Sequence, residues 1–171
     1  SGATVILAQY YGAKKQEDVR RTVHTALALS IAGGAAIMVL GILFSGVALR
    51  AMNTPQEILP QSVVYMRVYF LGVIPSLIYN MGSGILRAVG DSRRPLYFLI
   101  LSCLVNIVLD IFFVTILKMG VVGVAVATAL SQVVSALMVI VTLMRAEDSY
   151  RLFIKEIRFH PVLLHNIVRI G

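Results

Sequence analysis

Asp110 is the only acidic residue inside any of the long apolar runs of this chain, and it lies four residues after Asn106. A carboxylate at membrane depth is costly, so its presence marks an ion or proton site that faces a bundle interior or a water-filled cavity. Residues four apart share one face of a helix, so the Asn106 amide can donate to the ionised acid or accept from the protonated one. The pair predicts a site for H⁺ or Na⁺, and the sequence does not separate the two ions. A purely structural alternative is an ion pair between Asp110 and Arg67 or a basic residue outside this chain.

Polar residues recur at helical spacing in three neighbouring apolar segments. We expect these stripes to face the interior of a helix bundle, where Tyr79, Asn80, Ser83 and Gln132 are candidates to line a cavity or contact a substrate. The alternative is that the stripes only form interhelical hydrogen bonds. The stripes are Ser76, Tyr79, Asn80 and Ser83; Ser102, Asn106 and Asp110; and Thr128, Ser131, Gln132 and Ser135.

The elements that carry these residues are predicted to be membrane helices. The chain is 58% hydrophobic, with a mean hydropathy of +0.88. Residues 26–49, 68–86 and 119–144 contain no charged residue, and 96–117 contains only Asp110. Each run is long enough to cross about 30 Å of hydrocarbon as a helix. The fold class is therefore all-α, a polytopic membrane helix bundle.

Small residues and prolines predict how these helices pack and bend. The first run is rich in glycine, alanine and serine, including Gly33, Gly34, Gly41 and Gly46, which let helices approach closely in lipid. After the turn at 53–55, residues 57–65 are expected to lead into the next helix. Pro75 removes a backbone hydrogen bond inside that helix, so we predict a kink there that serves as a hinge.

The basic residues are distributed unevenly between the two ends of the bundle. Loops 13–21, 87–94 and 145–169 hold twelve of the fifteen Lys and Arg residues, and they lie on one side if the helices alternate in direction. By the positive-inside rule this side is the cytoplasm. Orientation in the membrane therefore explains the net charge of +7, and no nucleic-acid partner is predicted because aromatic residues do not interleave with the charges.

No enzyme is expected from this sequence. The three histidines, His24, His160 and His165, lie in or beside predicted loops and are expected to be interfacial residues. They form no His-Glu-x-x-His motif, and no helix carries paired catalytic carboxylates. We predict no cofactor beyond a coupling ion, and no metal site other than Na⁺ at Asp110.

Five stretches of the chain carry a resemblance to a known family. In order along the chain, they are Gln-Tyr-Tyr-Gly-Ala-Lys at 9–14, Ile-Leu-Arg-Ala-Val-Gly-Asp at 85–91, Asn-Ile-Val-Leu-Asp at 106–110, Met-Gly-Val-Val-Gly-Val-Ala-Val-Ala-Thr at 119–128, and Ser131-Gln132. With these motifs in this order, the chain resembles the amino-terminal lobe of a multidrug and toxic compound extrusion (MATE) transporter.

The resemblance implies a two-lobed, twelve-helix antiporter in the cytoplasmic membrane, which exchanges H⁺ or Na⁺ for amphipathic, often cationic drugs. Residues 1–145 are then part of the amino-terminal lobe, from the end of helix two to helix six. Residues 146–171 are the cytoplasmic linker and the start of helix seven. The expected partners are membrane lipid, drug substrates, and the remainder of the same polypeptide, namely helix one and the carboxyl-terminal lobe.

The same resemblance implies a cation-coupling site. Asp110 and Asn106 match the helix-five pair of the family, Thr128 matches a helix-six hydroxyl, and Tyr65 matches a helix-four tyrosine, although Tyr69 lies one turn away. Two other functions stay open: a flippase for lipid-linked oligosaccharide with the same architecture, and a membrane scaffold subunit that does not transport.

Overall fold

The computed structural model describes residues 2–157 and 161–170, and this part of the chain contains helices and loops but no β-strand. His160 lies outside the described residues. The helices are α1 (Gly2–Gly12), α2 (Gln16–Ala51), α3 (Leu59–Leu71), α4 (Val73–Ala88), α5 (Arg93–Ile111), α6 (Val121–Met144) and α7 (Pro161–Ile170). A π-helical turn, Phe112–Ile116, extends α5, and a short 3₁₀ turn, Ile154–Glu156, precedes α7.

The four predicted membrane helices are confirmed. They are α2, α3 with α4, α5 with its π turn, and α6, each long and apolar enough to cross a bilayer. The 36 residues of α2 extend about 54 Å, well beyond a hydrocarbon core of about 30 Å. Because the apolar run of α2 begins at residue 26, its first turns lie outside the hydrocarbon, on the side of the basic loops.

The predicted interruption near Pro75 is observed as a break at Gly72 between α3 and α4. Pro75 has no N–H for the Leu71 carbonyl, and its ring clashes with the preceding turn. The Gly72 N–H binds the Tyr69 carbonyl at 3.1 Å, and helical bonding resumes with the Ser76 N–H on the Gly72 carbonyl at 3.1 Å. The expected lead-in at 57–65 is already helical from Leu59. A hinge function for Pro75 stays a prediction.

Glycines of α2 form the predicted close contacts with the next span. A Cβ on Gly34 would lie 3.0 Å from Ile74 Cγ1, and a Cβ on Gly41 would lie 2.3 Å from the Phe70 ring. Gly33, in contrast, has nothing within 4 Å of such an atom. Close packing therefore explains some of the small residues of α2 and not others.

The buried core lies at the end of the bundle where the basic loops meet. Its largest members come from α1, α2, α4, α6 and the segment after α6, and α7 packs against α1 and α2. The Tyr11 hydroxyl donates to Asp148 at 2.9 Å, which joins the end of α1 to the last of these loops. The core residues are Leu7, Val19, Val23, Leu27, Ile85, Leu86, Val139, Leu143 and Leu152.

Residues 146–157, which we name the linker segment, fold back onto the start of α2. Leu152 is buried in the core, and its N–H binds the Leu143 carbonyl at 3.0 Å. Phe153 follows directly, and its backbone N–H donates a hydrogen bond to His24 Nε2. The expectation that His24 is an interfacial residue is wrong, because the linker segment covers it and leaves its side chain 2% exposed. His165, on α7, is exposed.

Candidate functional site

Helices α5 and α6 pack antiparallel, and two contacts define their register. The Ser102 hydroxyl of α5 donates to the Ser131 carbonyl of α6 at 2.8 Å. Near the far end of the pair, a Cβ on Gly123 would lie 3.0 Å from Phe113 Cβ. Asn106 and Asp110 lie between these contacts, one and two turns beyond Ser102 on the same face. The polar face of α5 is therefore turned toward α6.

The two site residues of α5 present unpaired acceptor atoms to this interface. Asn106 Oδ1 and Asp110 Oδ1 are both buried and have no hydrogen-bond partner among the described residues. Buried acceptors without partners are rare in folded proteins, because each one costs free energy comparable to a lost hydrogen bond. Two such oxygens one turn apart on one helix face can accept a proton or bind a hard cation.

Thr128 lies at the level of Asn106 along α6, as the register requires. It is three residues before Ser131, which faces α5, and four before Gln132, which faces Gly72 at the α3–α4 break. Thr128 therefore lies between the α5 and α3 sides of α6. Its hydroxyl donates to the Val124 carbonyl at 2.9 Å, so its oxygen lone pairs are free to accept or to bind a cation.

Tyr65 comes close to the level of Asp110 from α3, which runs parallel to α6. A Cβ on Gly72 would lie 3.3 Å from Ala129 Cα, and a Cβ on Gly120 would lie 3.6 Å from Gln61 Nε2. Tyr65 is two turns before Gly72 on the same face of α3, level with residues 122–124 of α6. Asp110 is level with residues 123–126. The four predicted coupling residues thus lie in one half of the bundle, and their role stays a prediction.

A π-helical turn begins two residues after Asp110, at Phe112. The Leu117 N–H binds the Phe112 carbonyl at 3.1 Å, five residues back instead of four. π-helical turns are rare in proteins, and those that occur are often found at functional sites. Nothing in the sequence predicts this one, because residues 112–116 continue the apolar helical pattern without Gly or Pro.

The predicted cavity-lining residues do not lie together. Gln132 borders a cavity of about 190 Å³ at the α3–α4 break, together with Tyr69, Gly72, Val73, Ser76 and Leu77. Ser83 is buried near the basic loops, and its hydroxyl has no partner among the described residues. The Tyr79 hydroxyl donates to the Pro95 carbonyl at 2.7 Å, and Asn80 is exposed. Ser83 lies about 25 Å along the bundle from Asp110, so the stripes serve two separate regions.

Interhelical hydrogen bonding explains few of the stripe hydroxyls. Ser102 bonds across to α6, whereas Thr128, Ser131 and Ser135 donate to carbonyls of their own helix. The alternative of an Asp110–Arg67 ion pair is wrong, since no salt bridge joins them. In the described ranges no three His, Cys, Asp or Glu side chains converge on a metal-sized site. The oxygen atoms at Asp110 instead suit a proton or a hard monovalent cation.

These features define a class of protein: a polytopic helical membrane transporter lobe, with a carboxyl group held between transmembrane helices. The MatE family model matches residues 1–112, and the chain belongs to this family. A probable multidrug resistance protein of Bacillus subtilis, YoeA, is 32% identical over 99% of this chain. The match covers 35% of that protein, so the chain spans about a third of the length of this relative.

Solved transporter structures superpose on the chain along its length. The inward-facing form of a multidrug resistance MATE transporter of the MOP superfamily matches with a TM-score of 0.90 and 31% identity, over 99% of this chain and 39% of that one. A MOP superfamily transporter from Pyrococcus furiosus, described as having a binding pocket of reverse polarity that suggests a different function, matches with a TM-score of 0.88 and 31% identity. That match covers 99% of this chain and 38% of the other.

Proposed function

We propose that this chain is part of the amino-terminal lobe of a cation-coupled exporter, which exchanges H⁺ or Na⁺ for amphipathic, often cationic compounds. The observation that carries the proposal is the pair of buried, unpartnered oxygens at Asn106 and Asp110. A coupling ion bound there would satisfy both atoms, and its release would leave them unpaired again. The energetic difference between these two states is what an exchanger needs to drive a change of conformation.

The position of the pair supports exchange across the membrane. Asp110 is seventeen residues after Arg93, so it lies about 25 Å along a helix that begins at a basic loop. It therefore lies in the half of the membrane away from the basic loops. In the proposed orientation these loops are cytoplasmic in the inner membrane, and Asp110 exchanges its ion with the outside.

Coupling requires that ion and substrate bind the two conformations of the lobe with different affinity. Binding of a cation at Asp110 draws α5, α6 and α3 together, since the candidate ligands come from all three helices. We propose that the α3–α4 break at Gly72 absorbs the resulting movement. The remaining helices of the same polypeptide then close or open the substrate cleft.

A flippase for lipid-linked oligosaccharide is the second candidate. The Pyrococcus furiosus transporter, whose pocket of reverse polarity is described as suggesting a different function, supports keeping a second candidate because it is similarly related to this chain. The charges of this chain favour the exporter: its apolar runs contain one acid and no base. An acidic site attracts cationic compounds, whereas a lipid phosphate requires basic residues.

The test is transport by the full-length parent protein in proteoliposomes, with an imposed pH gradient or an imposed Na⁺ gradient and a fluorescent cationic dye. We expect efflux to follow one gradient and Asp110→Asn to abolish it, because the amide keeps the shape of the carboxylate but binds no proton or cation at this site. Asp91→Asn is the matched control: it makes the same substitution in a loop, where the carboxylate pairs with Arg94 at 3.1 Å. Loss of a partly exposed ion pair within one loop costs little, so this variant should transport normally.

Each result separates the candidates. Dye efflux that follows neither gradient in the wild type contradicts the exporter and favours the flippase or a scaffold subunit. Gradient-driven efflux that persists in Asp110→Asn shows that coupling occurs elsewhere in the protein.

A further inference from the structure

His24 of α2 is held by two backbone groups that define its protonation state. Its Nδ1 lies 2.6 Å from the Arg20 carbonyl oxygen, and its Nε2 lies 3.0 Å from the Phe153 backbone nitrogen. A carbonyl can only accept and an amide N–H can only donate. The ring therefore donates through Nδ1–H and accepts at Nε2, which is the neutral form of histidine.

Charged groups surround this histidine on both of the elements that enclose it. Arg20 binds Glu156 through both Nε, at 2.8 Å, and Nη2. The guanidinium groups of Arg20 and Arg151 lie 4.9 and 5.2 Å from the centre of the Phe153 ring, which stacks on His24 at an interplanar angle of 16°. Glu17, two turns before His24 on α2, pairs with Arg21, which is one turn before it.

We propose that His24 is a proton-sensitive latch for the linker segment, closed when the imidazole is neutral and released when it is protonated. Protonation places a hydrogen on Nε2, where it meets the Phe153 N–H and breaks that hydrogen bond. Glu156 Oε2, at 3.8 Å from Nε2, already accepts from Arg20. It can turn to the imidazolium only by weakening the ion pair that holds the 3₁₀ turn on α2.

Protons reach the latch from the side of the basic loops. Arg20, Arg151 and Phe153 line an open groove of about 540 Å³ between the start of α2 and the linker segment. The imidazole of histidine can take up a second proton on acidification, which is why histidine serves as a pH sensor in proteins. The latch therefore responds to acidification on this face of the membrane, independently of the ion and substrate proposed above.

Two other anchor points of the linker segment, Leu152 and Asp148, do not depend on mild acidification. Leu152 is held by burial and by the Leu143 carbonyl. The pKa of Asp148 lies below its ordinary value, mainly because the Ser149 backbone N–H donates to the carboxylate. A carboxylate with a lowered pKa stabilises the fold above the ordinary value of about 3.9 and loses this effect only in stronger acid. Release at mild acidity is thus confined to residues 153–157.

The test is residue-level hydrogen–deuterium exchange on the full-length protein in lipid nanodiscs, at about pH 7.5 and about pH 5.5, corrected for intrinsic exchange rates. In the wild type, we expect protection of the Phe153 amide to fall by about fivefold in acid, the factor that corresponds to one neutral hydrogen bond. The Leu152 amide is the internal control and should not change. His24→Gln keeps an acceptor near the Nε2 position without a titrating group, so its protection should be independent of pH.

Two outcomes would contradict the proposal that His24 is a proton-sensitive latch. One is equal protection of the Phe153 amide at both pH values in the wild type, a result that does not depend on the folding of any variant. The other is pH-dependent protection in His24→Gln that equals that of the wild type. Glu156→Gln, at a half-exposed side chain, separates the contributions of His24 and Glu156. The fall in Phe153 amide protection in acid should persist in this variant. If the fall disappears, the pH dependence belongs to Glu156 and the role of His24 is refuted.

Discussion

Replacing Pro75 with alanine tests whether the break at Gly72 is used in transport. Alanine restores an N–H opposite the Leu71 carbonyl and removes the ring that clashes with the preceding turn. Proline in a helix interior costs about 3 kcal/mol relative to alanine. The broken geometry of α3 and α4 avoids this cost, so the substitution favours a continuous helix by up to about 3 kcal/mol, a factor of roughly 100 in the equilibrium between broken and continuous forms.

We expect Pro75→Ala to raise the thermal stability of the full-length protein and to lower its rate of gradient-driven efflux by about tenfold or more. Pro60→Ala is the matched control in the same span. Pro60 lies in the first turn of α3, where a missing N–H and a fixed φ are tolerated. It should therefore change neither quantity.

Thermal stability and the rate of efflux together show whether the break at Gly72 acts as a hinge. Thermal unfolding in detergent reports the gain in helix stability, and dye efflux from proteoliposomes reports transport. A Pro75→Ala variant that is more stable and transports at the wild-type rate would refute the hinge. A variant that is less stable would show that tertiary contacts, and not the proline, hold the break at Gly72.

Two further substitution pairs test the packing of the lobe, and both use thermal unfolding in detergent. Gly82→Ala places a Cβ 1.9 Å from Val139 Cγ1, so overpacking should destabilise the protein by about 1–3 kcal/mol. Gly33→Ala, with open space around it, should be neutral or stabilising; equal losses would contradict the α4–α6 register. Ser102→Ala removes the α5–α6 hydrogen bond and should cost about 0.6–1 kcal/mol. Ser131→Ala should cost less, because Ser102 donates to the backbone carbonyl of Ser131, which alanine keeps. A larger loss of stability for Ser131→Ala than for Ser102→Ala would contradict this hydrogen bond.

Local patterns in the sequence account for the membrane scaffold. The four spans and the break near Pro75 follow from run length and a missing N–H. Each of these depends on residues that are neighbours along the chain. The polar stripes were predictable for the same reason, since helical spacing alone puts Asn106 and Asp110 on one face.

Contacts between distant segments were decided only by the tertiary structure. The stripes do not show which helix each one faces. The contact between Ser102 and Ser131 was needed to place Thr128 at the level of Asn106, and the contacts between α3 and α6 were needed to place Tyr65 near the level of Asp110. The linker segment reads as a charged loop, yet Phe153 closes over His24, 129 residues earlier. Pairings of this kind depend on how whole helices pack, and the spacing of residues within one helix carries no information about them.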